Sequence, residues 1–133
     1  MIIRSITIED HQMLIPFWKA NYFFNEMDNF ARFKFFLDKN PNLSILAEEN
    51  GEIIGSALGS FDGRRGYLQK LVVRKDFRKR GLGKQLVGKI IQRLKELNCL
   101  YIPISVEEEL VIFYESCGFK KTKQIPMNID LED

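Results

Sequence analysis

The feature that most constrains the fold is a change of hydrophobic period near residue 81, where strand-like runs give way to one long helical stripe. Before that point, Leu43 to Glu49 reads as a strand, Asn50-Gly51 as a two-residue hairpin turn, and Ile53 to Phe61 as the partner strand. Asp62-Gly63 leads through Arg64, Arg65 and Gly66 into Tyr67 to Val73, so three antiparallel strands follow one another as a meander. Beyond it, Leu82, Leu86, Ile90, Leu94 and Leu97 form one apolar stripe, supplemented by Val87 and Ile91, which predicts a long amphipathic helix.

The flanks complete an α/β pattern. Ile2 to Ile6 suggests a short strand, and Thr7 with Asp10 resembles the start of a helix running through Phe17 and Trp18. A second helix is expected over Asp28 to Asp38, with Phe30, Phe33, Phe36 and Leu37 at helical spacing and Pro41 beyond its end. The apolar run Leu100 to Val106 reads as a buried strand, reached through the helical crossover and therefore parallel to its predecessor. Leu110 to Ser116 supports a short helix stopped at Gly118, and Phe119 to Lys123 with Met127 to Leu131 looks like a closing strand pair around Pro126.

Composition sets the class. The chain has 133 residues, 45% apolar and 29% charged, which suits one globular domain over 1–133. No run approaches the roughly 20 apolar residues of a membrane span, and Met1-Ile2-Ile3-Arg4 leads into alternating sequence rather than an export signal, so a cytoplasmic protein is expected. Cys99 and Cys117 lack metal-ligand spacing and read as buried reduced thiols; no metal is expected. Net charge is only +2, yet Arg74, Lys75, Arg78, Lys79, Arg80 and Lys84 crowd one short stretch, while acidic residues gather at Glu107, Glu108 and Glu109.

That basic stretch joins a strand to a helix. Unpaired N–H groups at a helix start, together with the helix dipole, attract anions, and Gly81 and Gly83 let a phosphate approach the backbone. The P-loop pattern fails, because position 78 is arginine and Lys84 precedes Gln85. The dinucleotide fingerprint fails too, because the turn follows an antiparallel meander. Arg78-x-x-Gly81-x-Gly83 instead resembles the Q/R-x-x-G-x-G/A motif of the GNAT N-acetyltransferase superfamily, and Phe113-Tyr114-Glu115-Ser116-Cys117-Gly118-Phe119 resembles its L/F-Y-E-x-x-G-F. The resemblance covers nearly the whole chain and implies a central mixed, mostly antiparallel sheet of six to seven strands flanked by about four helices.

The resemblance further implies an N-acetyltransferase using acetyl-coenzyme A as co-substrate, with direct attack by an amine in a ternary complex. The pyrophosphate would rest on Arg78, Lys79, Arg80, Gly81, Leu82, Gly83 and Lys84, and the pantetheine along the backbone of Leu71, Val72 and Val73. Tyr114 would protonate the departing sulfur; its plainer role is a packed aromatic. Amine attack also needs a proton acceptor. Where some relatives carry a glutamate on the strand, Ser105 stands here, so the candidates for a base or water relay are Ser105, Glu107, Glu108 and Gln69; a solvated, dipole-friendly helix start is the plainer role of the glutamates.

Acceptor recognition in the superfamily uses the N-terminal helices, which implicates Trp18 and Phe23, with Tyr67 on the neighbouring strand. Phe30, Phe33 and Phe36 read as core, and His11 as a surface or helix-start residue. The acceptor is expected to be a primary amine of a small molecule or protein, and the chain a monomer or homodimer. Two other functions fit parts of the pattern. A non-catalytic acyl-coenzyme A sensor would keep the phosphate turn, and a nucleic-acid-binding module would use the basic run but leaves Tyr114 unexplained.

Overall fold

The computed structural model describes residues 1–132. In chain order it contains β1 (Ile2–Ser5), α1 (His11–Asn21), α2 (Phe30–Lys39), β2 (Ile45–Glu49), β3 (Glu52–Phe61), β4 (Gly66–Val73), α3 (Leu82–Glu96) and α4 (Val111–Ser116). The four strands form one antiparallel sheet in the order β1-β2-β3-β4. One face packs on α3 through Ile45, Ile54, Leu86, Ile90 and Leu94; the other packs on α1 and α2 through Leu14, Trp18, Phe33, Leu46 and Val72. This is the expected α/β class, with helices on both faces.

Local chemistry sets the element ends. Asn50 and Gly51 both have positive φ, 54° and 77°, as a tight hairpin turn of this hand requires. Thr7 and Asp10 do form a reciprocal cap, but on a short 3-10 turn, Ile8–Asp10, that precedes α1. The second helix starts later than Asp28 because Asn29 Oδ1 accepts from the Arg32 amide at 2.9 Å and caps it there. Asp28 itself ends another 3-10 turn, Glu26–Asp28.

Three expected strands are absent among the described residues. Leu100 to Val106 carries no ladder pairing; only the Gly66 amide, donating to Tyr101 O at 2.9 Å, joins it to β4. Pro103 has no N–H to donate in mid-run, and Leu100, 94% exposed, reaches no core. Phe119 to Lys123 and Met127 to Leu131 are also unpaired, with Ile125, Met127 and Ile129 exposed around Pro126. The sheet therefore has four strands rather than six to seven, and the parallel member is missing.

Within α2, Phe33 is buried as expected, but Phe30 is exposed and Phe36 only half-buried. His11 is at a helix start yet buried, its Nε2–H donating to Asp28 O at 2.8 Å. Cys99 and Cys117 are unpaired thiols, each half-buried.

Candidate active site

Gly81 adopts φ 85°, a left-handed conformation that costs other residues roughly 1–2 kcal/mol, and so turns the chain into α3. The first helical bond runs from the Gln85 amide to Gly81 O at 3.1 Å, leaving the amides of Leu82, Gly83 and Lys84 without a carbonyl one turn earlier. Leu82 contributes only backbone, since its side chain is buried in the α3 core. At Gly83 a Cβ would lie 3.2 Å from Phe113 Cζ, so glycine here lets α4 pack against the turn. The two sequence motifs thus meet in space.

The basic residues of this turn divide into two groups. Arg78 Nε donates to Val73 O at 3.0 Å, and its Nη2 to Asn21 O at 3.0 Å, so this side chain ties the turn to the ends of β4 and α1. Arg74 is held by Asp76 and Glu52. Hydrogen bonds from the Arg74 guanidinium hold the Asp76 carboxyl below its ordinary value despite an opposing effect of desolvation. Lys79, Arg80 and Lys84 are exposed and form no ion pair among the described residues.

β4 carries a bulge that sequence reasoning missed. Ser56 pairs with Val72 and Leu58 with Gln69, so Lys70 and Leu71 stand opposite Ala57 alone, and Lys70 has φ 50°. The extra residue inverts the side-chain alternation: Leu68 packs with the α3 core, whereas Val72 packs with the α1 and α2 core. Residues 67–71 of β4, up to and including the bulge, and the Pro103 to Glu107 segment enclose a cleft of about 500 Å³. Tyr67, Gln69, Ser105, Glu107 and Tyr114 all line it, whereas Glu108 does not.

Tyr114 is half-buried, its ring edge-on to Phe113 and Phe119 at 5.0 and 5.8 Å between centroids. Burial, with smaller effects from Cys117 and Tyr22, pushes its phenol above the ordinary value, so it keeps its proton through the neutral range. Its ring lines the same cleft as the bulge residues Lys70 and Leu71.

Lys70, in that bulge, was missed as well. Its ammonium donates to Asp28, both side chains being almost wholly covered, and it lies 4.1 Å from the Phe23 ring centroid and 4.7 Å from that of Trp18. Trp18 is completely buried, with Nε1–H donating to Ser56 Oγ at 2.9 Å, so it backs Lys70 rather than facing an acceptor. Phe23 and Tyr22 instead line a second cavity, of about 830 Å³, between α2 and the β3–β4 surface; Tyr22, Gln69 and Lys70 line both cavities. A lysine at a position framed by Leu68 and Val72 was the available sequence signal.

Residues 8–119 match the acetyltransferase (GNAT) family. An acetyltransferase of Pectobacterium atrosepticum is 33% identical over 114 residues, which cover 82% of this chain and 78% of that protein. Glucosamine-6-phosphate N-acetyltransferase from Arabidopsis thaliana superposes with a TM-score of 0.74 at 22% identity, over 98% of each chain. A predicted acetyltransferase of Clostridium acetobutylicum, solved with acetyl-CoA, superposes with a TM-score of 0.73 at 18% identity, over 96% of this chain and 95% of that one. These two likenesses concern the fold.

Proposed function

Because this chain belongs to the acetyltransferase (GNAT) family, we propose that it transfers an acetyl group from acetyl-coenzyme A to a primary amine by direct attack in a ternary complex. The observation that carries the reading is that Tyr114 and the β4 bulge residues Lys70 and Leu71 line one cleft. The pyrophosphate rests on the amides of Leu82, Gly83 and Lys84, with Lys79, Arg80 and Lys84 supplying mobile charge. Arg78 holds the turn in place rather than binding phosphate with its side chain.

The pantetheine enters along Leu71 to Val73, and an amide of the bulged strand polarises the thioester carbonyl as the tetrahedral oxyanion forms. The amine nitrogen makes the new C–N bond and the C–S bond breaks. Tyr114, kept protonated by its setting, donates to the departing sulfur. A free alkylamine has a pKa near about 10.4, so its proton must leave before attack. Glu107 and Ser105, with Gln69 across the cleft, hold the water that carries it away.

Calorimetric titration with acetyl-coenzyme A beside ATP, followed by thiol release over a panel of amines, tests this. Binding of acetyl-coenzyme A with amine-dependent thiol release is the expected result. Binding without release, unaltered by Tyr114→Phe, would identify an acyl-coenzyme A sensor. Absence of binding would overturn the reading.

A further inference from the structure

We propose that the cavity between α2 and the β3–β4 surface takes an amine acceptor with an apolar or aromatic body and a carboxylate, of the kind presented by an aromatic amino acid. The proposal rests on the acetyltransferase reading and adds the acceptor class. Its first support is position: Tyr22, Gln69 and Lys70 line both this cavity and the Tyr114 cleft, so a molecule seated in one can present its amine to the other.

The second support is charge. The lining contains three cations, Arg32, Lys39 and Lys70, and one carboxylate, Asp28. Asp28 is already taken: it accepts from Lys70, and that pair is covered from solvent. A cationic acceptor would therefore find no available carboxylate in this cavity and would face Arg32 and Lys39. Those two are exposed and form no ion pair among the described residues. Arg32 lies in the first turn of α2, its amide donating to the Asn29 cap, and its guanidinium can grip a carboxylate with two parallel N–H donors.

The third support is the apolar wall. Tyr22, Phe23, Met27 and Phe35 are 56%, 42%, 67% and 65% exposed around the same cavity, an unusual concentration of aromatic and thioether surface facing water. An acceptor ring or branched chain covers it, while the carboxylate meets Arg32 and the amine crosses past Gln69. In the transfer, the amine lone pair forms the C–N bond to the acetyl carbon and the C–S pair departs on sulfur. Tyr114 supplies the thiol proton, the amine gives one up to cleft water, and that water returns a proton to the Tyr114 phenolate.

The test compares phenylalanine, 2-phenylethylamine and spermidine as acceptors with acetyl-coenzyme A, scored by thiol release and by mass of the acetylated product. The expected result is a KM for phenylalanine at least about ten-fold below that for 2-phenylethylamine, as loss of one charge-assisted pair implies. Arg32→Met should raise the phenylalanine KM by a similar factor, leave 2-phenylethylamine unaffected and leave acetyl-coenzyme A affinity unaltered. Preference for spermidine, equal use of the two phenyl amines, or no turnover of any of the three despite acetyl-coenzyme A binding would overturn the acceptor class alone. Failure to bind acetyl-coenzyme A would remove the acetyltransferase reading itself, and the acceptor class with it.

Discussion

Lys70, in the bulge of β4, donates its ammonium to the carboxylate of Asp28, 42 residues earlier in the chain. The pair fastens the connection between α1 and α2 to the strand whose backbone is read as the thioester site. With side chains only 6% and 11% exposed, each charge depends on the other for its place in the interior. Lys70→Met or Asp28→Asn should each lower stability by about 3 kcal/mol, read from denaturant midpoints. The double variant Asp28→Asn with Lys70→Met, leaving no orphaned charge, should lose less than the two single losses together; a simple sum of those losses would show that the pair is uncoupled.

Tyr114→Phe removes one oxygen from a ring held between Phe113 and Phe119, so packing should survive. Loss of the proton donor should lower kcat by about 10²-fold, at the low end of general acid contributions, with acetyl-coenzyme A affinity retained. Steady-state rates with a responsive amine, beside calorimetry, check both halves. An unchanged kcat would assign the ring to packing.

The meander, the α3 stripe and the glycine turn before α3 were legible because each is written locally: Asn50-Gly51, the repeat from Leu82 to Leu94, and glycines at a helix start. The bulge was not, because one extra residue against Ala57 leaves no compositional mark and breaks the parity by which strands are read. Without it, Lys70 could not be recognised as the partner of Asp28. The structural ties of Arg78 were hidden for a related reason: its sequence position beside Gly81 suggests a phosphate, and the carbonyls of Val73 and Asn21 to which it donates become neighbours only once β4 and α1 have packed. The strands expected after residue 100 were read from apolar runs alone, and Pro103 and Pro126 were given too little weight as missing donors.

Gly81→Val should test the turn. A β-branched residue at φ 85° is strained wherever the space around it is open, and about 1–2 kcal/mol of stability should be lost. The distorted α3 start should also weaken acetyl-coenzyme A binding. Gly83→Val acts differently, because its side chain would enter the space of the Phe113 ring and displace α4 with Tyr114. Gly81→Val should therefore raise the dissociation constant more than it lowers kcat, and Gly83→Val should lower both parameters of catalysis.

Charge at the turn makes a separable prediction. Replacing Lys79, Arg80 and Lys84 together by glutamine should weaken acetyl-coenzyme A binding and flatten its dependence on salt, because exposed charges act through a screened field. Arg78→Gln should instead reduce stability by about 1 kcal/mol through its lost carbonyl contacts while keeping most of the salt dependence. Calorimetry across ionic strength distinguishes the two.

The Arg4–Asp10 pair predicts how the N-terminal cap responds to acid. Burial alone would push the Asp10 carboxyl up, but hydrogen bonds from the Arg4 guanidinium at 2.8 and 2.9 Å, and from the Thr7 amide at 2.8 Å, outweigh it and hold the group below its ordinary 3.8. A carboxyl depressed in the folded chain binds protons more readily when unfolded, so its contribution is fully present above about pH 4 and is lost as pH falls through the folded value. The carboxylate also closes the reciprocal cap with Thr7 that leads into α1, and Asp10→Asn keeps the shape while removing the charge. The thermal midpoint of Asp10→Asn should thus fall below that of the parent at neutral pH, and the gap should close in strong acid. A gap that stayed constant down to pH 2 would mean that the cap is held by shape and neutral hydrogen bonds, with the Arg4 charge contributing nothing.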